Sequence, residues 1–284
     1  MLARVTYSIV ALDAETGELG VGVQSQAFNT GAAVPWARPG VGAVATQSFS
    51  DRRYGWRGLE LMAEGASPED ALAQLRAVDE QVELRQVGML AADGRSAQWT
   101  GGDCIAEAGS AHGEDWIAQA NMVASPRVWE AMGEAFAATA GSLAERLMTA
   151  LDAAEAEGGD WRGRGGAAVL VVPGEGEPWE RVIDLRVEEG DGSLAELRRL
   201  LTRALGYRAA NQAESERAEI GGRYGLPAVH VQQLAIQDAL ESGELAEAQR
   251  LYAELIAEQP LWRDAIRALS TLPHFESYRA LLDE

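Results

Sequence analysis

The stretch TYSIVALDAETGELGVGVQS, residues 6–25, decides the fold because apolar and polar positions alternate on both sides of a central turn. Successive side chains of a β-strand point to opposite faces, so a period of two indicates strands. Residues 13–17, DAETG, are rich in turn-forming residue types. The pattern predicts a β-hairpin over residues 4–25 that places Thr6 at its head.

The remaining pattern up to residue 205 alternates groups of strands with pairs of helices. Adjacent strands joined by short turns form antiparallel sheet, and paired helices cover sheets as outer layers. The sequence therefore predicts an α+β domain in which two sheets lie between two helical layers. After the hairpin, the predicted strands are residues 40–47, several short strands within 82–122, 167–172 and 179–187, and the predicted helices are 55–65, three beginning at Ser67, Ser125 and Ser142, and 193–205.

The charge and the residue types exclude several classes of function. A formal net charge of −20 makes nucleic acids and anionic membranes unfavourable partners, because both carry negative charge. All 24 basic residues are Arg, so a Schiff-base, P-loop or general-base lysine is excluded. With three His and one Cys, a His/Cys zinc site is not expected, and we predict no metal and no other cofactor.

The sequence also gives an expectation about location. No apolar run reaches the roughly 18 residues of a membrane span. The first residues, MLARV, lack the apolar segment of a signal peptide. We therefore expect a cytoplasmic protein.

The character of the chain changes after about residue 206. Residues 208–225 are polar and contain glycine, whereas the segment from Ala228 onward is helical in pattern. Small Ala248 and helix-stopping Pro260 are typical of one tetratricopeptide-type helical hairpin, although any amphipathic helix pair gives a similar pattern. The predicted organisation is a domain over 1–205, a linker over 206–227 and a helical module over 228–284.

The first 205 residues resemble the bacterial DUF1028 family, which is grouped with the N-terminal nucleophile (Ntn) hydrolases. The resemblance implies a four-layer αββα sandwich, the arrangement that the element order also predicts. The matching stretches, in chain order, are residues 6–11 (TYSIVA), 17–21 (GELGV), 34–37 (VPWA), 40–47 (GVGAVATQ), Tyr54-Gly55 with Gly58-Leu59, Arg85-Gln86, Thr100-Gly101 with Cys104, Gln119 with Asn121-Met122, and Gly158-Gly159-Asp160 with Arg162-Gly163.

The resemblance implies that Thr6 is the nucleophile. In Ntn hydrolases the hydroxyl of the first residue attacks an amide carbonyl, and the free α-amine of that residue takes the proton. Many family members begin Met-Thr-Phe-Ser, whereas five residues precede Thr6 here. Three explanations stay open: removal of residues 1–5, translation starting at Val5, or a catalytically silent protein.

Two further catalytic candidates follow from the resemblance and from the hairpin. Asn121, at the end of a predicted strand, is the candidate oxyanion donor, with a turn-forming Asn as the alternative. The family pattern there is Gln-Gly-Asn, and this chain has Ala120 in place of the glycine. Ser25 and Gln26 end the returning strand close to Thr6, where they would orient the nucleophile or simply be polar strand-end residues.

The remaining site candidates are polar residues within apolar or glycine-rich stretches. We assign them to substrate binding, with internal Asp–Arg ion pairs as the favoured alternative for the arginines, since Arg suits bidentate carboxylate contacts. Cys104 is interpreted as a small buried residue rather than a nucleophile. These substrate-binding candidates are Gln26, Gln47, Arg85, Gln86, Asp160 and Arg162.

The sequence thus supports more than one function. The first is an Ntn-type hydrolase that cleaves an amide bond in a small molecule or short peptide, as a homo-oligomer. The second is a catalytically silent binding or assembly protein on the same fold. A third gives residues 228–284 a role in binding peptidoglycan, as proposed for the appended domain of some relatives.

Overall fold

The computed structural model of the protein describes residues 6–273 and 275–282. Two compact units divide the chain, one extending to Leu201 and one beginning at Thr202. The first unit contains strands β1 (Thr6–Leu12), β2 (Leu19–Ser25), β3 (Pro35–Arg38), β4 (Gly42–Ser48), β5 (Arg85–Ala91), β6 (Ser96–Thr100), β7 (Gly109–His112), β8 (Trp116–Asn121), β9 (Gly166–Val172) and β10 (Ile183–Val187). Its helices are α1 (Arg53–Ala63), α2 (Pro68–Ala77), α3 (Arg127–Ala138), α4 (Leu143–Ala156) and the first part of α5 (Ser193–Gln212).

The strands form two antiparallel sheets. One has the order β10-β9-β2-β1-β8-β7 and the other β3-β4-β5-β6. The hairpin predicted from the opening stretch is the β1–β2 pair, in which Tyr7 lies opposite Gln24. The predicted α+β class with antiparallel sheets is confirmed, while β3 is a strand that the sequence pattern did not reveal.

The two sheets pack face to face, with β1 and β2 against β3 and β4, and β5 against β8. Period-two alternation sends one set of side chains of each strand into this space. At the end of β1 that contains Leu12 the space is apolar, since Val10, Val21 and Val23 pack with Ala45 and Leu90. At the Thr6 end the space contains polar side chains. The candidate residues Gln47, Gln86 and Asn121 lie together there.

Helices cover the outer faces. The large sheet carries α3 and α4, and the small sheet carries α1 and α2. A Cβ on Gly20 would lie 2.8 Å from Leu147, and one on Gly55 would lie 2.3 Å from the Trp36 ring. These glycines therefore allow close helix–strand approach. Helix α4 begins with a capping box between Ser142 and Glu145.

The second unit contains the rest of α5 together with α6 (Arg217–Arg223), α7 (Ala228–Glu241), α8 (Leu245–Glu258) and α9 (Trp262–Leu269). Residues 206–227, expected to be a linker, instead hold the end of α5 and the whole of α6. Although the segment is mostly polar, its Ala210 and Leu226 form a small apolar cluster with Leu234 of α7. Helix α8 ends two residues before Pro260, as predicted. Over the described ranges, the helices are too short or too polar to cross a membrane.

Candidate functional site

Thr6 is the first residue of β1 and lies at the polar end of the space between the sheets. Its cross-strand neighbour on one side is Asn121 of β8. On the other side Ser25 ends β2, next in register after the Tyr7–Gln24 pair. Residues 1–5, on which the predicted start of the hairpin and the nature of the N-terminus depend, lie outside the described residues.

The Thr6 hydroxyl is buried and hydrogen bonded. Its Oγ1 donates to Ser25 Oγ over 3.1 Å, and the Thr6 residue is 2% exposed. Ser25 Oγ also accepts from the backbone N–H of Ala27 at 3.1 Å. The turn that follows β2 therefore holds the Ser25 oxygen in place, and the predicted proximity of Ser25 to Thr6 is observed.

Gln86 of β5 is the anchor of a buried amide network. Its Nε2 donates to the backbone oxygens of Ala120 (2.9 Å) and Gly109 (3.2 Å) and to Thr100 Oγ1 (3.1 Å). Backbone oxygens accept only, so they fix which end of the Gln86 amide is nitrogen. Its Oε1 must then face the opposite way, toward Gln47 and Asn121.

The orientations of Gln47 and Asn121 follow from that of Gln86. Gln47 Nε2 donates to Gln86 Oε1 over 2.7 Å, and Asn121 Nδ2 donates to the same oxygen over 3.0 Å. Both nitrogens also face the backbone oxygen of Thr6, at 3.1 Å from Gln47 and 3.5 Å from Asn121. The network thus holds the Thr6 backbone from the opposite sheet and from the neighbouring strand.

Ser8 and Gln119 complete the network, and sequence reasoning assigned neither to the site. Ser8 Oγ donates to Gln47 Oε1 over 2.6 Å, and Gln119 Nε2 donates to Ser8 Oγ over 3.3 Å. Both residues are fully buried. A signal existed in the strand period, because Ser8 and Gln119 lie two positions from Thr6 and Asn121 and so share their face.

Asp160 ties the end of β2 to the loop that precedes β9. Its Oδ2 accepts from the backbone N–H of Gln26 at 2.8 Å, and its Oδ1 accepts from the backbone N–H of Arg162 at 2.9 Å. The Arg162 guanidinium forms an ion pair with the same carboxylate. Asp160 and Arg162 thus form the internal ion pair that was the alternative to substrate binding. Gln26 contacts this pair only through its backbone N–H.

Arg85 lies apart from Gln86 because adjacent strand residues point to opposite faces. Its guanidinium pairs with the buried carboxylate of Asp79, Nε to Oδ2 at 2.8 Å. Hydrogen bonding from Arg85 lowers the pKa of Asp79 from its usual 3.8 to about 2. Tyr54 donates to Asp79 as well, and burial raises the pKa of the Tyr54 hydroxyl. Arg85 therefore stabilises the small sheet beside the site.

Cys104 is half-buried near the same strand. Its Sγ donates to the Arg85 backbone oxygen at 3.4 Å, and burial raises the pKa of its thiol. A raised pKa disfavours the thiolate, which is the reactive form. Within residues 6–273 and 275–282, no group of three or more His, Cys, Asp and Glu side chains is arranged to hold a metal ion.

Comparison with known proteins assigns the first unit to a family. The model of a family described as "Family of unknown function (DUF1028)" matches residues 6–197. The chain belongs to DUF1028. A crystal structure of protein SPO2555 from Silicibacter pomeroyi, also assigned to DUF1028, is similar at 28% identity and a TM-score of 0.64, covering 76% of this chain and 92% of that one. None of the curated proteins matches the chain.

The DUF1028 match begins at Thr6 and ends within α5. The matched part contains the hydroxyl pair, Thr6 and Ser25, and the residues of the amide network. The helices α6 to α9 lie beyond it. The chemistry available in the matched part is a hydroxyl held by a second hydroxyl, surrounded by neutral amides.

Proposed function

We propose that the protein is an amide-cleaving hydrolase of the Ntn type, with Thr6 as nucleophile once it is the first residue of the chain. The observation that carries the proposal is the bond from Thr6 Oγ1 to Ser25 Oγ, 3.1 Å, at the head of the central hairpin. The bond holds the hydroxyl at the polar end of the space between two sheets. Support also comes from the layers, since two facing antiparallel sheets with helices outside are the αββα arrangement of Ntn hydrolases.

The proposed reaction uses two groups of one residue. The Thr6 oxygen attacks the amide carbonyl carbon while its proton passes to the α-amine, whose pKa lies near 7.7–8.0. The C–N bond then breaks, and the α-ammonium gives its proton to the leaving amine. Water attacks the resulting ester with the α-amine as base, which releases a carboxylic acid and restores the Thr6 hydroxyl.

Asn121 is the donor that we assign to the oxyanion. One of its N–H bonds is held by Gln86 Oε1 at 3.0 Å. The other faces the Thr6 backbone oxygen at 3.5 Å, longer than a normal N–H···O hydrogen bond. A weakly held N–H beside the nucleophile can turn to the developing negative charge on a substrate oxygen. Gln47 and Gln86 position Thr6 and Asn121 rather than contact the substrate.

The test compares two forms of the full chain: the form beginning at Met1, and the form in which a removable tag is cut so that Thr6 is first. Both are incubated with p-nitroanilides of acetic, octanoic and amino acids, and the protein is analysed by intact mass. We expect release of p-nitroaniline and a covalent acyl adduct only in the Thr6-first form. Thr6→Ser is expected to retain activity and Thr6→Ala to lose it.

Hydrolysis that survives Thr6→Ala would overturn the proposal, as would a Thr6-first form that shows neither adduct nor product.

The alternative is a catalytically silent binding protein, which the 2% exposure of Thr6 favours. It predicts that these anilides raise the melting temperature equally in the wild-type chain and in Thr6→Ala, with no product formed.

A further inference from the structure

Three large apolar side chains are exposed around the head of β1. Phe28 is 64% exposed, Trp161 is 59% exposed and Ile105 is 41% exposed. Each lies on a different loop: the turn after β2, the loop before β9 and the segment before β7. Large exposed apolar side chains that gather into one patch mark a surface that binds an apolar group.

Hydrogen bonds connect each of these loops to the residues around Thr6. Phe28 follows Ala27, whose N–H donates to Ser25 Oγ. Trp161 follows Asp160, whose carboxylate accepts from the Gln26 N–H. Ile105 accepts at its backbone oxygen from the Met122 N–H at 2.9 Å, one residue beyond Asn121. Phe28 and Trp161 therefore each follow a residue that is hydrogen bonded to the Ser25–Gln26 segment, and Ile105 is hydrogen bonded to the residue after Asn121.

The arginines in these loops already have carboxylate partners. Arg162 pairs with Asp160, and Arg164 pairs with Glu155. The network beside Thr6 consists of neutral amides and hydroxyls, and the chain as a whole carries a formal charge of −20. These features disfavour a substrate that carries a carboxylate or phosphate, because such a group would be desolvated without a partner.

We propose that the ligand of this site is an uncharged amide whose acyl part is apolar, held by Phe28, Ile105 and Trp161 as walls on the loops around Thr6. The proposal rests on the function proposed above for its catalytic part, and it adds the chemical class of the substrate. The apolar acyl part contacts the loop side chains, and the amide lies at the hydroxyl pair.

The test uses three anilides that differ only in the acyl part: acetyl, octanoyl, and the mono-anilide of octanedioic acid, which ends in a carboxylate. We expect the Thr6-first form to prefer octanoyl over either of the others by at least about tenfold in kcat/KM. Phe28→Ser and Trp161→Ser should each lower kcat/KM for the octanoyl anilide roughly tenfold and reduce the octanoyl-to-acetyl preference.

Trp179→Ser is the matched control. Trp179 is 73% exposed and lies between β9 and β10, at the end of the sheet away from Thr6. This variant should keep the octanoyl preference. Equal rates for octanoyl and the carboxylate-ended anilide, or an unchanged preference in Trp161→Ser, would overturn the inference while leaving the hydrolase proposal intact.

Binding is measured separately by equilibrium dialysis of the octanoyl anilide with Thr6→Ala. Binding that is lost in Trp161→Ser but kept in Trp179→Ser supports the apolar contacts of the ligand, whether or not an anilide is hydrolysed. Such binding without any hydrolysis would overturn only the hydrolase proposal. Absence of binding and of hydrolysis would overturn both.

Discussion

Gln47 Nε2 donates to Gln86 Oε1 over 2.7 Å between directly opposed positions on β4 and β5. From this bond each glutamine reaches the other sheet, Gln47 to the Thr6 oxygen and Gln86 to the Ala120 oxygen. The backbone partners of Gln86 fix the direction of both amides, so the bond orients the groups that hold Thr6.

Gln86→Met keeps the length of the side chain and removes both ends of its amide. Ala120 and Gly109 then lose a donor, and Gln47 and Asn121 lose an acceptor, all in a buried space. Because buried polar groups without partners are costly, we expect the free energy of unfolding to fall by about 3 kcal/mol. Denaturant unfolding measures the change, and the Thr6-first form should lose hydrolysis.

Gln98→Met is the control for this substitution. Gln98 lies on neighbouring β6, is half-buried and donates to Thr100 Oγ1. We expect a loss below about 1 kcal/mol there. A loss of equal size in both variants would contradict the anchoring role of Gln86.

Ser25→Ala removes the oxygen that accepts from both Thr6 and Ala27. We expect a stability loss of about 1 kcal/mol and, in the Thr6-first form, a fall in kcat of about a hundredfold from the misplaced hydroxyl. Thr30→Val is the control, because Thr30 Oγ1 donates to the Ala27 oxygen in the same turn without contacting Thr6. It should lower stability to a similar extent and leave kcat unchanged; equal kcat values in the two variants would refute the role of Ser25.

Asp79→Asn tests the buried ion pair with Arg85. In the folded protein the pKa of Asp79 is about 2, below the 3.8 of an unperturbed Asp. The charged carboxylate therefore stabilises the folded state above pH 3.8, and this contribution is lost as the pH falls toward 2. We expect Asp79→Asn to cost about 3 kcal/mol at pH 7, and the difference from wild type to shrink between pH 4 and pH 2.

Urea unfolding at a series of pH values measures this difference. Asp93→Asn provides the comparison, because the Asp93–Arg95 pair is more than half exposed on both sides and should contribute little. A gap between wild type and Asp79→Asn that stays constant from pH 7 to pH 2 would show that the charge of Asp79 is not what stabilises the fold.

Local patterns in the sequence were sufficient for the hairpin and for the proximity of Ser25 to Thr6. Both depend on strand alternation and on one turn, which involve residues close in the chain. The same alternation places Ser8 and Gln119 on the faces of Thr6 and Asn121, but it does not reveal the contacts of the amide network. Whether Gln47 and Gln86 reach Thr6 depends on the packing of one sheet on the other, and only the assembled fold brings Gln119 beside Ser8.

The polar pairs show the same limit at shorter range. Arg85 and Gln86 are adjacent, and their sequence made both of them substrate-binding candidates, with an internal Asp–Arg ion pair as the favoured alternative for Arg85. The pleat of β5 sends Gln86 between the sheets and Arg85 to the Asp79 carboxylate. The segment 206–227 was likewise expected to be a linker because it is mostly polar. The few apolar residues that pack against α7 are spread through the segment and form no recognisable pattern.

Gly165→Ala tests the close approach of the loop before β9 to the turn that holds Ser25. A Cβ at Gly165 would lie 2.1 Å from the Gln26 backbone oxygen, and the Gly165 N–H donates to the Ser25 backbone oxygen at 3.1 Å. Since backbone cannot yield as a flexible side chain does, the turn must move. We expect a loss of about 2 kcal/mol in denaturant unfolding and a lower kcat in the Thr6-first form. Gly192→Ala, where an added Cβ meets nothing within 4 Å, should change neither quantity; a Gly165→Ala variant that behaves the same way would show that the turn does not depend on this contact.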